Sequence, residues 1–155
     1  MNAFSAADFR VRAVSHTALT DEYGDYLLNP AFEADMKAAR YKDAAVLIGL
    51  RERGGECSVI LTERTAHLAK HAGQVAFPGG KIDPDDASPE AAALREAHEE
   101  IGLDPAHVEV LGRLPDYLTG TGYRIKPVLA LVDPDVLFVP NPEEVDTVFE
   151  TPFPY

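Results

Sequence analysis

The sequence holds a single cysteine, Cys57, in 155 residues, so no disulfide can form within the chain. A reducing cytoplasm is the simplest home for that composition. Positive charge is also scarce: 14 Lys and Arg stand against 26 Asp and Glu, a net charge of -12. This balance excludes a general nucleic-acid binder, which needs clustered cations to neutralise phosphates. It leaves room for a small anionic partner if metal ions bridge the two. No segment approaches the ~18 apolar residues that a membrane span requires. A basic start followed by an apolar stretch is missing too, so no signal peptide is expected. Repeats and low-complexity tracts are absent, and hydrophobic content is 46%. The expectation is one compact domain, 1–155, with a buried core and no visible cue to oligomeric state.

Helix and strand signals are well spaced. Ser5, with Asp8 three residues on, predicts a short helix to about Val14. Residues 15–30 read as a connection, and 31–40, Ala-rich with Phe32 and Met36 at i, i+4, as a second helix. Residues 1–42 thus form a helical extension. Ala44–Leu50 is a continuous apolar run, the mark of a buried strand; Arg53-Gly54-Gly55-Glu56 turns it, and Cys57–Arg64 returns, with Cys57 in the core. Gln74–Phe77 predicts a short strand that ends in a Gly79-Gly80 turn, where a ligand can approach the backbone. Ser88 as cap, Pro89 at the first position and Glu90 in the first turn open a helix that Gly102 closes after Ile101. Strands follow near 108–114, 125–132 and 145–149. This order predicts an α/β fold, a mixed sheet with helices on its faces.

The chemistry concentrates in Arg95-Glu96-Ala97-His98-Glu99-Glu100-Ile101-Gly102-Leu103. Glu96, Glu99 and Glu100 stand at i, i+3 and i+4, so a helix projects all three carboxylates from one face. Like charges that close repel, and a divalent cation shared with substrate phosphates resolves the conflict. Taken alone, the pattern also fits a solvated face with an Arg95–Glu99 pair. The Gly79-Gly80 turn, the Ser88 cap and the stretch before them favour a metal-dependent phosphate site.

Gly80 through Leu103 resembles the Nudix box: Gly, five residues, an acid, seven residues, then Arg-Glu-x-x-Glu-Glu-x-Gly. Here Gly80 is followed by five residues and Asp86, then by eight before Arg95. Asp for the usual Glu and the longer spacer are similar to the CoA-diphosphatase branch, with its Gly-Gly-x-x-Asp-x-x-Asp loop. The upstream run, Ile60-Leu61-Thr62-Glu63-Arg64-Thr65 through Gly73 to Phe77-Pro78-Gly79-Gly80, resembles that branch's signature, with Thr65 for Ser and Ala69 where a second Arg belongs. Lys70, one residue on, substitutes only as a point charge.

The resemblance implies a Nudix-type α/β/α sandwich with a mixed central sheet and a loop–helix–loop catalytic motif. A C-terminal helix usual in the family is expected to be missing after Tyr155. The implied cofactor is Mg²⁺ or Mn²⁺, held by Glu96 and Glu100, with Glu99 as a further ligand or as the base. Arg95 pairs with a neighbouring carboxylate. Arg64, Lys70, Gly79, Gly80 and Tyr123 are the implied substrate contacts. The implied reaction cleaves the diphosphate of CoA or acyl-CoA to 3′,5′-ADP and 4′-phosphopantetheine or its acyl form. Ala69 keeps open another nucleoside diphosphate derivative (a dinucleotide, ADP-ribose or a nucleotide sugar). A binding module that does not cleave is disfavoured because every carboxylate of the box is present. Asp86 either contacts a metal through water or ends the loop, and residues 120–123 either cover a ligand or form a plain hairpin. His67 and His71, at i, i+4, lack a third zinc ligand and read as loop residues. His98 reads as solvent-facing.

Overall fold

The computed structural model describes residues 5–16, 22–65 and 73–152. Among them are three α-helices, α1 (Ala6–His16), α2 (Glu33–Ala38) and α3 (Pro89–Ile101). The strands are β1 (Tyr23–Gly24), β2 (Lys42–Arg53), β3 (Glu56–Arg64), β4 (Val75–Ala76), β5 (Gly79–Lys81), β6 (Val108–Arg113), β7 (Tyr117–Leu118), β8 (Tyr123–Val132) and β9 (Val145–Pro152).

One parallel pair organises the sheet. β2 and β8 run side by side from Lys42↔Tyr123 to Leu50↔Leu131. Each changes its outer partner halfway. β2 pairs antiparallel with β5 at its start and with β3 at its end; β8 pairs with β7 at its start and with β6 at its end. β9 and β4 both add to β3. Strand alternation then separates two cores. Ala45, Leu47, Ile60, Val128, Ala130 and Val132 face Ala92, Ala93, Ala97 and Ile101 of α3. Leu50, Cys57, Val59, Leu129 and Leu131 face Ala6 and Ala13 of α1 on the other side. The result is the expected α/β/α layering. No helix among the described residues is long and apolar enough to cross a membrane.

Two expectations change. Gly79 and Gly80 do not make a turn; they are strand residues of β5, opposite Val46 and Ala45. The glycine is demanded by approach, since a Cβ at Gly79 would overlap the Ala45 carbonyl oxygen and lie 2.7 Å from the Val46 Cα. The segment before β2 is also less helical than expected. Tyr23–Gly24 pairs parallel to Tyr117–Leu118, and Pro30 opens a 3₁₀ turn that leaves α2 only six residues. Gly24 fits there because a Cβ would meet the Leu118 carbonyl oxygen at 2.8 Å.

Helix α3 forms where its signals place it. The Ser88 Oγ accepts from the Ala91 N–H at 3.1 Å, and Gly102 closes the helix at φ 68°. Ile101, the last residue of the helix, is fully buried. Replacing Ile101 by Ala is expected to cost about 3 kcal/mol, and Ser88 by Ala about 1 kcal/mol, in urea unfolding of the metal-free protein.

Candidate active site

The site lies at the end of the sheet where β5 and β7 flank the parallel pair. A cavity of about 520 Å³ is lined there by Ala44 and Val46 of β2, Gly79 to Lys81 of β5, and Tyr123 and Ile125 of β8. Glu96 and Glu100 enter it from α3, Arg64 from the end of β3, and Glu144 from the approach to β9.

The backbone of β5 sets how closely the helix can approach. A Cβ at Gly80 would sit 2.8 Å from the Glu96 carboxyl carbon, so glycine leaves that space to the carboxylate. Glu100 is 3% exposed and takes a backbone hydrogen bond from Gly79. Burial pushes its carboxyl up to about 8; the Glu96 and Glu144 charges push the same way, while Arg64 and the Gly79 N–H oppose them. Glu96 is raised as well, by burial first, with Arg95 opposing and Glu99 and Glu144 adding to the rise. These groups titrate as a set.

Arg95 is the hub of the second half of the motif. Its Nε and a terminal nitrogen donate to the two oxygens of Asp86 at 2.9 and 3.0 Å, a bidentate fork. Its other terminal nitrogen reaches Glu96 at 3.1 Å and Glu99 at 3.3 Å, and the Lys81 carbonyl accepts at 3.3 Å from the terminal nitrogen that also bonds Asp86. Asp86 is held below the usual carboxylate range by that fork and by the Asp83 N–H. Asp86 thus anchors Arg95 and ends the loop. Glu99 is half exposed on the rim, outside the cavity lining.

A second segment clamps the far end of α3. The Val139 and Asn141 N–H groups donate to the carbonyls of Ile101 and Glu100, both at 2.8 Å. Asn141 then turns the chain: its side-chain oxygen accepts from Glu143, and its carbonyl accepts from Glu144 and Val145. Thr65, fully buried, bonds the Glu143 and Glu144 carbonyls. Arg51 holds the preceding loop through the carbonyls of Asp133 and Val136, with Phe138 stacked on its guanidinium. This chain of contacts fixes Glu144 opposite α3.

Arg64, Gly79, Gly80 and Tyr123 all line the cavity. Lys70, Ala69, His67 and His71 lie outside the described residues. The Arg64 Nε is buried and has no hydrogen-bond partner among the described residues, a donor left for an anion. His98 is exposed, and Cys57 is buried with its thiol pushed up to about 11 by desolvation. Residues 120–123 belong to the hairpin joining β7 to β8. The sequence reading missed Glu144; no local spacing marks it, because only the clamp through Asn141 and Thr65 brings it to the helix.

The donor set fits a hard divalent cation. Among the described residues no three His, Cys, Asp or Glu side chains converge as a ready-made ligand shell. Glu96 and Glu100 nonetheless repel each other in a buried setting beside open space, and a cation would relieve that repulsion. Their raised protonation has a direct consequence. Below about pH 4.5 both folded and unfolded states bind the Glu100 proton; between there and about 8 only the folded state does. Stability of the metal-free protein is therefore expected to fall as pH rises from about 5 to about 8, and Glu100→Gln should flatten that slope in urea unfolding.

Comparison with known proteins points to one family and fold. The NUDIX domain model matches residues 40–153. The Nudix hydrolase NudL of Escherichia coli is 46% identical over 126 residues, which is 81% of this chain and 64% of that protein. NudL of Shigella boydii matches equally. The chain thus spans less than two thirds of these relatives' length. Among solved structures, the Nudix hydrolase RenU of M. smegmatis superposes with TM-score 0.61 at 28% identity, over 74% of this chain and 72% of that one. The NUDIX domain of Shewanella oneidensis NrtR, crystallised with ADP ribose, gives 0.58 at 22% over 83% and 81%, a likeness of fold alone. On its residues, its fold and these matches, the chain belongs to the NUDIX domain family.

Proposed function

We propose that the chain is a metal-dependent diphosphatase whose substrate is CoA or an acyl-CoA. Water attacks one phosphorus, the bridging P–O bond of the anhydride breaks, and 3′,5′-ADP and 4′-phosphopantetheine, or its acyl form, are released. The single observation that carries the reading is the meeting of Glu96, Glu100 and Glu144 with Arg64 in one cavity walled by the glycine strand.

Glu96 and Glu100 would hold Mg²⁺ or Mn²⁺, with Glu99 on the rim of the same helical turn. The bound ion supplies charge neutralisation of the diphosphate and a lowered pKa for a coordinated water. Arg64 offers its Nε, unpartnered among the described residues, to a phosphate oxygen. Gly79 and Gly80 let the diphosphate approach the backbone without a side chain in the way. Arg95, tied to Asp86, holds Glu96 in position. Tyr123 and the hairpin before it wall off the cavity beside the β8 end. A proton released by the attacking water can pass to a carboxylate oxygen of Glu144, across the cavity, or of Glu99. Positioning and charge stabilisation then supply most of the rate. The CoA preference rests on the Gly79-to-Asp86 loop and on the stretch from Ile60 to Gly80, and the 46% identity to NudL supports Nudix hydrolase chemistry.

The assay is product release from CoA, NADH, ADP-ribose and diadenosine polyphosphates with Mg²⁺ and Mn²⁺. The expected outcome is cleavage of CoA at the highest kcat/KM, abolished by chelator. Glu100→Gln should lower kcat by roughly 10² or more, in the range for lost electrostatic catalysis. Comparing Glu144→Gln with Glu99→Gln assigns the base to whichever loses the acidic limb of the pH profile. Preference for ADP-ribose or a dinucleotide would remove the CoA assignment, and unchanged activity in all three variants would remove the mechanism.

A further inference from the structure

A second cleft opens on the other side of the hairpin that borders the cavity. It holds about 630 Å³ and is lined by Leu28, Phe32, Met36 and Tyr41 on the side of the N-terminal segment, and by Thr119, Gly120 and Gly122 on the hairpin. Thr119 is common to both spaces, so the cleft and the diphosphate cavity adjoin. The hairpin alternates: Thr119, Thr121 and Tyr123 line the cavity, while Gly120 and Gly122 line the cleft. A Cβ at Gly122 would meet nothing within 4 Å, so that wall is open.

The cleft is a built feature. Asp25 ties its two walls together, accepting from the Tyr117 hydroxyl and from the Gly120 N–H, both at 2.6 Å. Its apolar residues do not belong to either core; Leu28 is 82% exposed and Phe32 56%. Among the described residues its charged lining is Asp25 and Asp35, with no cation. Such a surface disfavours a phosphate or carboxylate and favours a neutral, apolar chain. We infer that this cleft binds the uncharged arm of the substrate, the pantetheine-like amide chain and an acyl group on its sulfur, while the diphosphate lies in the adjoining cavity. The inference rests on the function proposed above for its choice of substrate, and on the shared Thr119 wall for its placement. The nucleotide end, with its further phosphate, is directed away from the two aspartates.

The test uses the native protein and a ligand that has no phosphate. The sequence holds two methionines, Met1 and Met36, so ¹³C-methyl-methionine labelling gives two signals, assigned with Met36→Leu. S-octanoylpantetheine is expected to shift the Met36 methyl saturably, pantetheine more weakly, and octanoate and ADP not at all. Phe32→Glu, at an exposed position, should weaken S-octanoylpantetheine binding roughly tenfold by adding a third carboxylate beside an apolar chain. An unmoved Met36 signal, a shift of equal size with octanoate, or a Phe32→Glu protein that binds as the native one does would each overturn the inference. Failure of the hydrolytic reading shows separately, as an arm that binds while intact CoA is left uncleaved.

Discussion

The structure turns on an unfavourable interaction: two carboxylates one helical turn apart, Glu96 and Glu100, are kept together in a largely dry wall. A protein selected for stability alone would separate them or expose them. Instead, neighbouring elements press them inward. The side-chain-free strand Gly79–Gly80 lets the helix come close, the Asp86–Arg95 fork restrains Glu96 from one side, and the 139–144 strap holds the Glu100 end from the other. Each restraint is a cost in conformational freedom that makes sense if a cation completes the site.

The sheet explains why the site is where it is. The parallel pair stays joined while both its outer partners change, and the cavity opens at the end where β5 and β7 flank it. That opening is lined by β2, β8 and α3. The cavity there draws on six separated stretches, so local sequence alone cannot announce all of them.

The helix was the most legible part. Ser88, Pro89 and Gly102 are cap and stop signals that act within a few residues, and they set α3 as expected. The strands of the apolar runs 44–50 and 125–132 were legible for the same reason, since burial on both faces leaves no polar alternation. What could not be read was contact across the chain. Gly79–Gly80 looked like a turn because glycine usually signals backbone freedom; here it signals the nearness of Ala45 and Glu96. Tyr23–Gly24 joins the sheet through a distant parallel partner that a two-residue strand cannot advertise. Glu144, in a loop without periodicity, becomes a site residue only through Asn141 and Thr65.

The central claim is that the buried acidic pair grips a divalent cation. Calorimetric titration of the chelator-treated protein with Mn²⁺ near pH 7, repeated in buffers of different ionisation enthalpy, tests it most directly. Glu100, pushed up to about 8, is mostly protonated at that pH, so binding should be saturable and should release protons into the buffer. Both signals should vanish in Glu100→Gln. Absence of binding, or binding with no proton release that persists in Glu100→Gln, would contradict the account.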